Sequence, residues 1–100
     1  MPASSDPSLD SETSEASITL AGDLHARPAG QLSVAAAGFA SAVRLSVKGR
    51  ESDADAKSVL AVMQLGASSG QRVTVRAAGP DAQAAVDAII GILAAATAVE

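Results

Sequence analysis

The apolar residues of the chain switch between two periodicities, and this constrains the fold more than any other sequence feature. Three short segments, 16–20, 42–47 and 72–77, carry apolar side chains at every second position, which is typical of half-buried strands. Segments 28–39 and 82–96 repeat apolar residues at spacings of three and four, which indicates amphipathic helices. Because each predicted strand is apolar on one face only, we expect an α+β fold with an antiparallel sheet and helices packed on one of its faces.

Turn and capping residues predict the remaining elements. Ser58 suits a helix N-cap and Gly66 a C-cap, so a short helix should occupy the apolar run between them. Residues 50–56 are polar and predict at most a weak strand, which could bury only Ala54 and Ala56. The expected order is therefore strand, helix, strand, weak strand, short helix, strand, helix.

The two longer helices are each expected to bury one stripe of side chains. Proline is tolerated at the first position of a helix because no N–H is needed there, so the first helix should begin at Pro28. The predicted buried residues are Pro28, Leu32, Ala35 and Phe39 in the first helix, and Ala82, Val86, Ile89, Leu93 and Ala96 in the last.

The length and charge of the chain fit one small domain preceded by a tail. Residues 1–15 are acidic and contain almost nothing apolar, so we expect a disordered acidic tail followed by a domain at 16–100. The net charge of −4, with no clustered basic patch, argues against a nucleic-acid partner, and the absence of cysteine favours the cytoplasm. The apolar run 82–99 contains Asp87 and much alanine, so we expect a helix of the domain without membrane insertion.

The single histidine of the chain, His25, stands where the first predicted strand gives way to a helix. Free backbone N–H groups at a helix start favour negative charge, phosphate above all. We therefore hypothesise that His25 carries a phosphoryl group on a ring nitrogen, the alternative being a surface histidine that caps the helix. One histidine without an evident serine or cysteine partner makes hydrolysis a poor alternative, and no spacing suggests a metal site.

Two blocks of the sequence carry a family resemblance. Residues 24–29, Leu-His-Ala-Arg-Pro-Ala, resemble the active-site signature of the phosphocarrier protein HPr family of the bacterial phosphoenolpyruvate-dependent sugar phosphotransferase system. Residues 57–66, Lys-Ser-Val-Leu-Ala-Val-Met-Gln-Leu-Gly, are similar to that family's Lys-Ser-Ile-Met-Gly-Val-Met-Ser-Leu-Gly segment. The similarity spans about residues 17–93. It implies an open-faced sandwich, with a four-stranded antiparallel sheet under three helices, in agreement with the order predicted above.

The resemblance implies a phosphoryl relay in place of an independent enzyme. His25 would accept a phosphoryl group on Nδ1 from enzyme I, form a phosphohistidine intermediate, and pass the group to an enzyme IIA domain. Local chemistry fits this role, because a neutral imidazole is nucleophilic near neutral pH and the Arg27 guanidinium can pair with phosphoryl oxygens. Transfer between proteins is mostly positioning and charge stabilisation, so no cofactor and no metal are expected.

The resemblance also implies a partner interface and a regulatory site on a monomeric carrier. Ser58 aligns with the family's regulatory serine, the target of a serine kinase and phosphorylase in some bacteria, although its predicted N-cap role already explains a serine there. Because a two-turn helix cannot bury all its sides, Leu60 or Met63 should be partly exposed. The implied interface comprises Ala26, Val59, Leu60, Met63 and Gln64.

Three departures from the family keep alternatives open. Asp23 stands where the family usually has glycine; aspartate tolerates the left-handed conformation, but it places a negative charge near His25 that would slow transfer. The segment 50–56 is longer and more acidic than usual, and Gln64 replaces a common serine. The acidic tail is also unusual for a free-standing carrier. The alternatives are an HPr-like regulatory docking module, or a carrier in a nitrogen-related or dihydroxyacetone phosphorelay.

Overall fold

A computed structural model describes residues 12–96 and has the predicted order of elements. The four strands form one antiparallel sheet in the order β1-β4-β2-β3, and three helices pack against it. The expected α+β open-faced sandwich is therefore confirmed. The elements are β1 (Glu12–Thr19), α1 (Ala26–Ala37), β2 (Ala42–Val47), β3 (Asp53–Asp55), α2 (Val59–Leu65), β4 (Arg72–Gly79) and α3 (Ala82–Ala96).

The sheet buries one face, as the period-two pattern predicts. In β2 and β4 buried and exposed residues alternate, so that Leu45 and Val75 face the core while Arg44 and Arg76, themselves aligned in register, face solvent. The core lies between this face and the helices. Its largest fully buried side chains are Leu20, Leu32, Leu45, Ile89, Leu93, Val43, Val62, Val73, Val75 and Val86.

The first strand is longer than predicted. β1 begins at Glu12 rather than Ala16, because it pairs with β4 along its whole length, from Glu12 opposite Gly79 to Thr19 opposite Arg72. Polar side chains are tolerated in this edge strand, since one of its faces is open to water. The strand thus occupies the end of the segment predicted to be a tail, and the rest of that predicted tail, 1–11, lies outside the described residues.

Helix α1 begins earlier than predicted, and the face that it buries is shifted around the helix from the predicted stripe. It starts at Ala26, with His25 as N-cap, so Pro28 is its third residue and the first intrahelical donor is the Ala29 N–H. Proline is harmless there because the first N–H groups of any helix lack intrahelical partners. Of the predicted stripe, Leu32 is buried, Ala35 and Phe39 are half-buried and pack against the core, and Pro28 is half-buried. The other buried residues of the helix are Ala29, Ser33 and Ala36.

The other predictions from capping residues and periodicity hold. The Ala61 N–H donates to Ser58 Oγ at the start of α2, and Gly66 ends it in the left-handed conformation at φ 62°. β3 is a three-residue strand that buries Ala54, as expected for a weak strand. In α3 the predicted residues Ala82, Val86, Ile89 and Leu93 are buried together with Ala85, while Ala96 is half-buried.

One carboxylate ties the start of α3 to the loop before β2. Asp81 caps α3 through its carbonyl, which accepts from the Ala85 N–H. Its carboxylate accepts from Ala40 N at 2.9 Å, Ser41 N at 2.9 Å and Ser41 Oγ at 2.5 Å. These donors, the Ser41 hydroxyl foremost, lower the pKa of Asp81 from its usual value.

We expect the free energy of unfolding to fall on acidification in a way that depends on Asp81. Because the pKa of Asp81 is lower in the folded than in the unfolded chain, its stabilisation is complete above the unfolded-state pKa and is lost as pH falls through the folded-state pKa. Urea unfolding at about pH 7 and about pH 3 checks this, since the reference pKa of aspartate lies between them. At neutral pH, Asp81→Asn should have a lower free energy of unfolding than the wild type, and acidification should lower that free energy by less than in the wild type. Ser41→Ala should be intermediate in both respects. An unchanged pH dependence in Asp81→Asn would contradict the assignment.

Candidate functional site

His25 is an exposed N-cap residue, and its ring makes no hydrogen bond or ion pair within residues 12–96. Its backbone is extended, at φ −84° and ψ 174°, and its side chain makes no capping hydrogen bond. The imidazole has no hydrogen-bond or ion-pair partner anywhere in residues 12–96. His25 therefore occupies the N-cap position on the surface but does not cap the helix with its side chain, and both ring nitrogens are open to an external group.

The start of α1 places backbone donors beside His25. The N–H groups of Ala26 and Arg27 belong to the first turn and have no intrahelical acceptor, and Pro28 has no N–H to offer. An anion held near His25 would meet these two donors together with the positive end of the helix dipole. The exposed Ala26 leaves them accessible.

Arg27 is the one arginine of the five that has no polar partner within the described part of the chain. Two others are held by carboxylates, Arg44 by Asp53 and Arg76 by Glu15. Arg50 donates to the Leu65 carbonyl and Arg72 to Thr19 Oγ1. The exposed guanidinium of Arg27 thus remains available for an incoming anion, two residues after His25.

The loop that carries His25 is fastened to the loop between α2 and β4. The Leu24 N–H donates to the Ala67 carbonyl at 3.1 Å, and Ser69 Oγ donates to the Ala21 carbonyl at 3.2 Å. The Ser69 N–H donates to Asp23 Oδ1 at 2.8 Å. The charge of Asp23 is therefore engaged in bracing the loop. Asp23 does not adopt the left-handed conformation, since within residues 12–96 only glycines have positive φ.

Helix α2 presents an apolar face to solvent. Leu60 is 65% exposed, Val59 46% and Met63 44%, while Val62 and Leu65 are buried beneath them. This confirms the expected exposure of Leu60 and Met63, and Gln64 is exposed beside them. We call Val59, Leu60 and Met63 the α2 face.

An exposed valine on α1 was missed by the sequence prediction. Val34 is 76% exposed, the most exposed of the large apolar side chains that the structure describes. Once the buried stripe of α1 is placed at Ala29, Leu32 and Ala36, a helical wheel puts Val34 on the opposite side. The signal was therefore present in the sequence, because the predicted stripe of Pro28, Leu32, Ala35 and Phe39 also lies on the far side of the helix from Val34.

Ser58 and Lys57 link α2 to the rest of the molecule. Ser58 is half-buried and its Oγ accepts from Ala61 N, so the predicted capping role is confirmed, while regulation stays a prediction. Lys57 Nζ donates to the Phe39 carbonyl at 2.9 Å.

Residues 12–96 contain no group of three or more side chains suited to hold a metal ion. None of the helices in this range is both long and apolar enough to cross a membrane.

Comparisons with known proteins agree on one family. The family model described as the phosphotransferase-system HPr component phosphorylation site matches residues 12–95. The phosphocarrier protein HPr of Cupriavidus necator is 44% identical over 71 residues, which are 71% of this chain and 78% of that protein. A multiphosphoryl transfer protein of Xanthomonas campestris is 37% identical over 89 residues, 89% of this chain but only 10% of that much longer protein.

The fold leads to the same family. A solved structure of the histidine-containing phosphocarrier protein from Mycoplasma superposes with a TM-score of 0.73 at 30% identity, covering 89% of this chain and 99% of that one. The family-model match runs from the start of β1 to the last residue but one of α3 and includes the whole His25 loop. The four-stranded sheet with three helices matches the fold of that phosphocarrier. The chain therefore belongs to the HPr family of phosphocarrier proteins.

Proposed function

We propose that His25 accepts a phosphoryl group from phosphorylated enzyme I and passes it to an enzyme IIA domain of a sugar phosphotransferase system. One observation carries the proposal: an exposed, unpaired imidazole stands at the start of α1 beside the single arginine without a polar partner in residues 12–96. Such an imidazole is free to attack, and such a guanidinium is free to bind the group that is transferred.

The proposed transfer is a displacement at phosphorus. The lone pair of neutral His25 Nδ1 forms a bond to phosphorus while the bond from phosphorus to the donor breaks, and the donor keeps that electron pair. The Arg27 guanidinium and the first N–H groups of α1 stabilise the charge on the phosphoryl oxygens. In the second step a nucleophile of the acceptor attacks the same phosphorus, and the bond from phosphorus to Nδ1 breaks. The electron pair of that bond returns to Nδ1, so His25 leaves as neutral imidazole.

The α2 face is the proposed docking surface for both partners, together with Ala26 and Gln64. Its exposed side chains supply the apolar contact area that recognition requires, and Met63 adapts to differently shaped partners. Phosphorylation of Ser58 would place up to two negative charges next to Val59 and weaken this docking. The protein would act as a monomeric carrier in the cytoplasm.

Incubation with phosphoenolpyruvate and enzyme I, followed by intact mass, tests the proposal. One acid-labile, base-stable phosphoryl group should appear on the protein, and its absence would overturn the proposal. The docking-module alternative predicts instead that partner binding survives His25→Ala but depends on Leu60 or Ser58. If the protein is a carrier, adding an enzyme IIA domain should remove the phosphoryl label from it. A module that works by docking alone would not show this loss.

Arg27→Ala is expected to slow phosphorylation by roughly a hundredfold, since removing one preorganised charge-stabilising group typically has an effect of this order. Arg27→Lys should recover only part of the rate, because an ammonium lacks the guanidinium's planar fork of donors. The control is Arg72→Ala, which removes an exposed arginine from the open face of the sheet. Rapid-quench phosphorylation assays measure all three, and equal rates for Arg27→Ala and Arg72→Ala would contradict the role given to Arg27.

A further inference from the structure

The loop that leads to His25 contains two residues that a single side chain holds. Within residues 12–96 the backbone of Gly22 and of Asp23 makes no hydrogen bond. The one hydrogen bond that reaches this pair is made by the Asp23 carboxylate, whose Oδ1 accepts from the Ser69 N–H at 2.8 Å. The residues on either side are tied to the same neighbouring loop through their backbone groups. The carboxylate therefore supplies a tie that the backbone does not.

The donor of this bond lies in a segment that is fixed by other contacts. The Ser68 N–H donates to Gln71 Oε1 at 2.8 Å, which closes the loop before β4 upon itself. Arg50 donates to the Leu65 carbonyl at the end of α2 and, at 3.5 Å, to the same Gln71 oxygen. A hydrogen bond orients a loop only when its partner is itself held in place. The Ser69 N–H is therefore a fixed point against which the loop before α1 can be braced.

The placement of the His25 ring depends on this backbone. No hydrogen bond or ion pair within residues 12–96 holds the ring, so its position follows from where the backbone directs the side chain. Asp23 lies two residues before it and is itself exposed, so its contact adds little to the core. Attack on phosphorus is sensitive to such placement, because a misplacement of about 1 Å can cost about a hundredfold in rate.

We propose that Asp23 is a positioning residue for phosphoryl transfer, an inference that rests on the function proposed above. Its carboxylate accepts from the Ser69 N–H and thereby fixes the peptide that leads into His25. The acceptor oxygen is the useful property, whereas the negative charge is unfavourable because it repels the phosphoryl group that arrives nearby. The sequence indicates the charge alone, since the acceptor role depends on the folded chain.

Asp23→Ala and Asp23→Asn separate the two effects, because asparagine keeps an acceptor oxygen and loses the charge. In enzyme I-dependent phosphorylation, Asp23→Ala should lower kcat by roughly tenfold and leave the KM for the carrier within about twofold, since the proposed docking surface is untouched. Asp23→Asn should reach the wild-type kcat or exceed it. The thermal midpoint of both variants should stay within a few degrees of the wild type, as expected for an exposed side chain.

The matched control is Asp87→Ala, which removes an exposed carboxylate from α3 and should leave both kcat and KM unchanged. Amide hydrogen exchange reports on the contact itself. The Ser69 amide should exchange faster in Asp23→Ala than in the wild type, and at nearly the wild-type rate in Asp23→Asn. An unchanged rate of exchange in Asp23→Ala would overturn the brace.

The kinetic outcomes also decide the proposal. A wild-type kcat in Asp23→Ala would overturn the positioning role while leaving the carrier function in place. Equal losses of kcat in Asp23→Ala and Asp23→Asn would overturn it as well, because the acceptor oxygen would then not be what the site uses. An effect confined to KM would point to docking and against positioning. Failure of the wild type itself to become phosphorylated would overturn the carrier function, and the positioning role with it.

Discussion

His25→Ala and His25→Asn are expected to abolish phosphoryl transfer while the protein stays folded. The histidine is unique, so no second imidazole can take its place. No other residue in the first turn of α1 offers a nitrogen lone pair, since a guanidinium has donors only and no acceptor. Intact mass after incubation with phosphoenolpyruvate and enzyme I should therefore show no label on either variant.

The stability of these two variants separates a chemical role from a structural one. The His25 side chain makes no capping hydrogen bond and is exposed, so its removal takes little from the fold. Asparagine is among the best N-cap residues, and His25→Asn should match or exceed the wild-type free energy of unfolding by up to about 1 kcal/mol. A variant that unfolds, or one that still becomes labelled, would contradict this account of His25.

Gly79→Ala is expected to destabilise the fold strongly, although it adds only one methyl group outside the site. Gly79 ends β4 with φ +146°, a conformation that side chains rarely adopt, and a Cβ there would lie 2.6 Å from Ser41 Cα. Backbone strain of about 1–3 kcal/mol and overpacking of a similar size add to about 2–6 kcal/mol. That is a large part of the stability of a small domain, typically about 5–15 kcal/mol.

The matched control for Gly79→Ala is Gly91→Ala, which makes the same chemical change within α3. Gly91 is exposed, and an added Cβ meets nothing within 4 Å, so the variant should gain about 1 kcal/mol from better helix propensity. Urea unfolding measures both. Equal free energies of unfolding for the two variants would contradict the account that the backbone conformation of Gly79 and its closeness to Ser41 exclude a Cβ.

Features set by local chemistry could be predicted from the sequence. The cap at Ser58, the left-handed Gly66 and the order of elements depend on neighbouring residues, and the structure has them as predicted. The start of α1 was misplaced because Pro28 fits the third helical position as well as the first.

Features set by contacts between distant segments could not be predicted in this way. β1 extends back to Glu12 only because β4 offers a partner along its whole length. The engagement of Asp23 with Ser69 also requires the folded chain. The spacing of Arg27 two residues after His25 is visible in the sequence. Its lack of a polar partner within residues 12–96 emerges only once the other four arginines have found theirs.

The central claim, that the His25 ring receives the phosphoryl group on Nδ1, is tested most directly by nitrogen NMR. Because the chain has one histidine, labelling histidine with a nitrogen isotope makes a single imidazole visible. After phosphoenolpyruvate and enzyme I are added, the Nδ1 signal should shift and show one-bond coupling to phosphorus, while Nε2 should show none. An imidazole spectrum that stays unchanged under these conditions would contradict the claim.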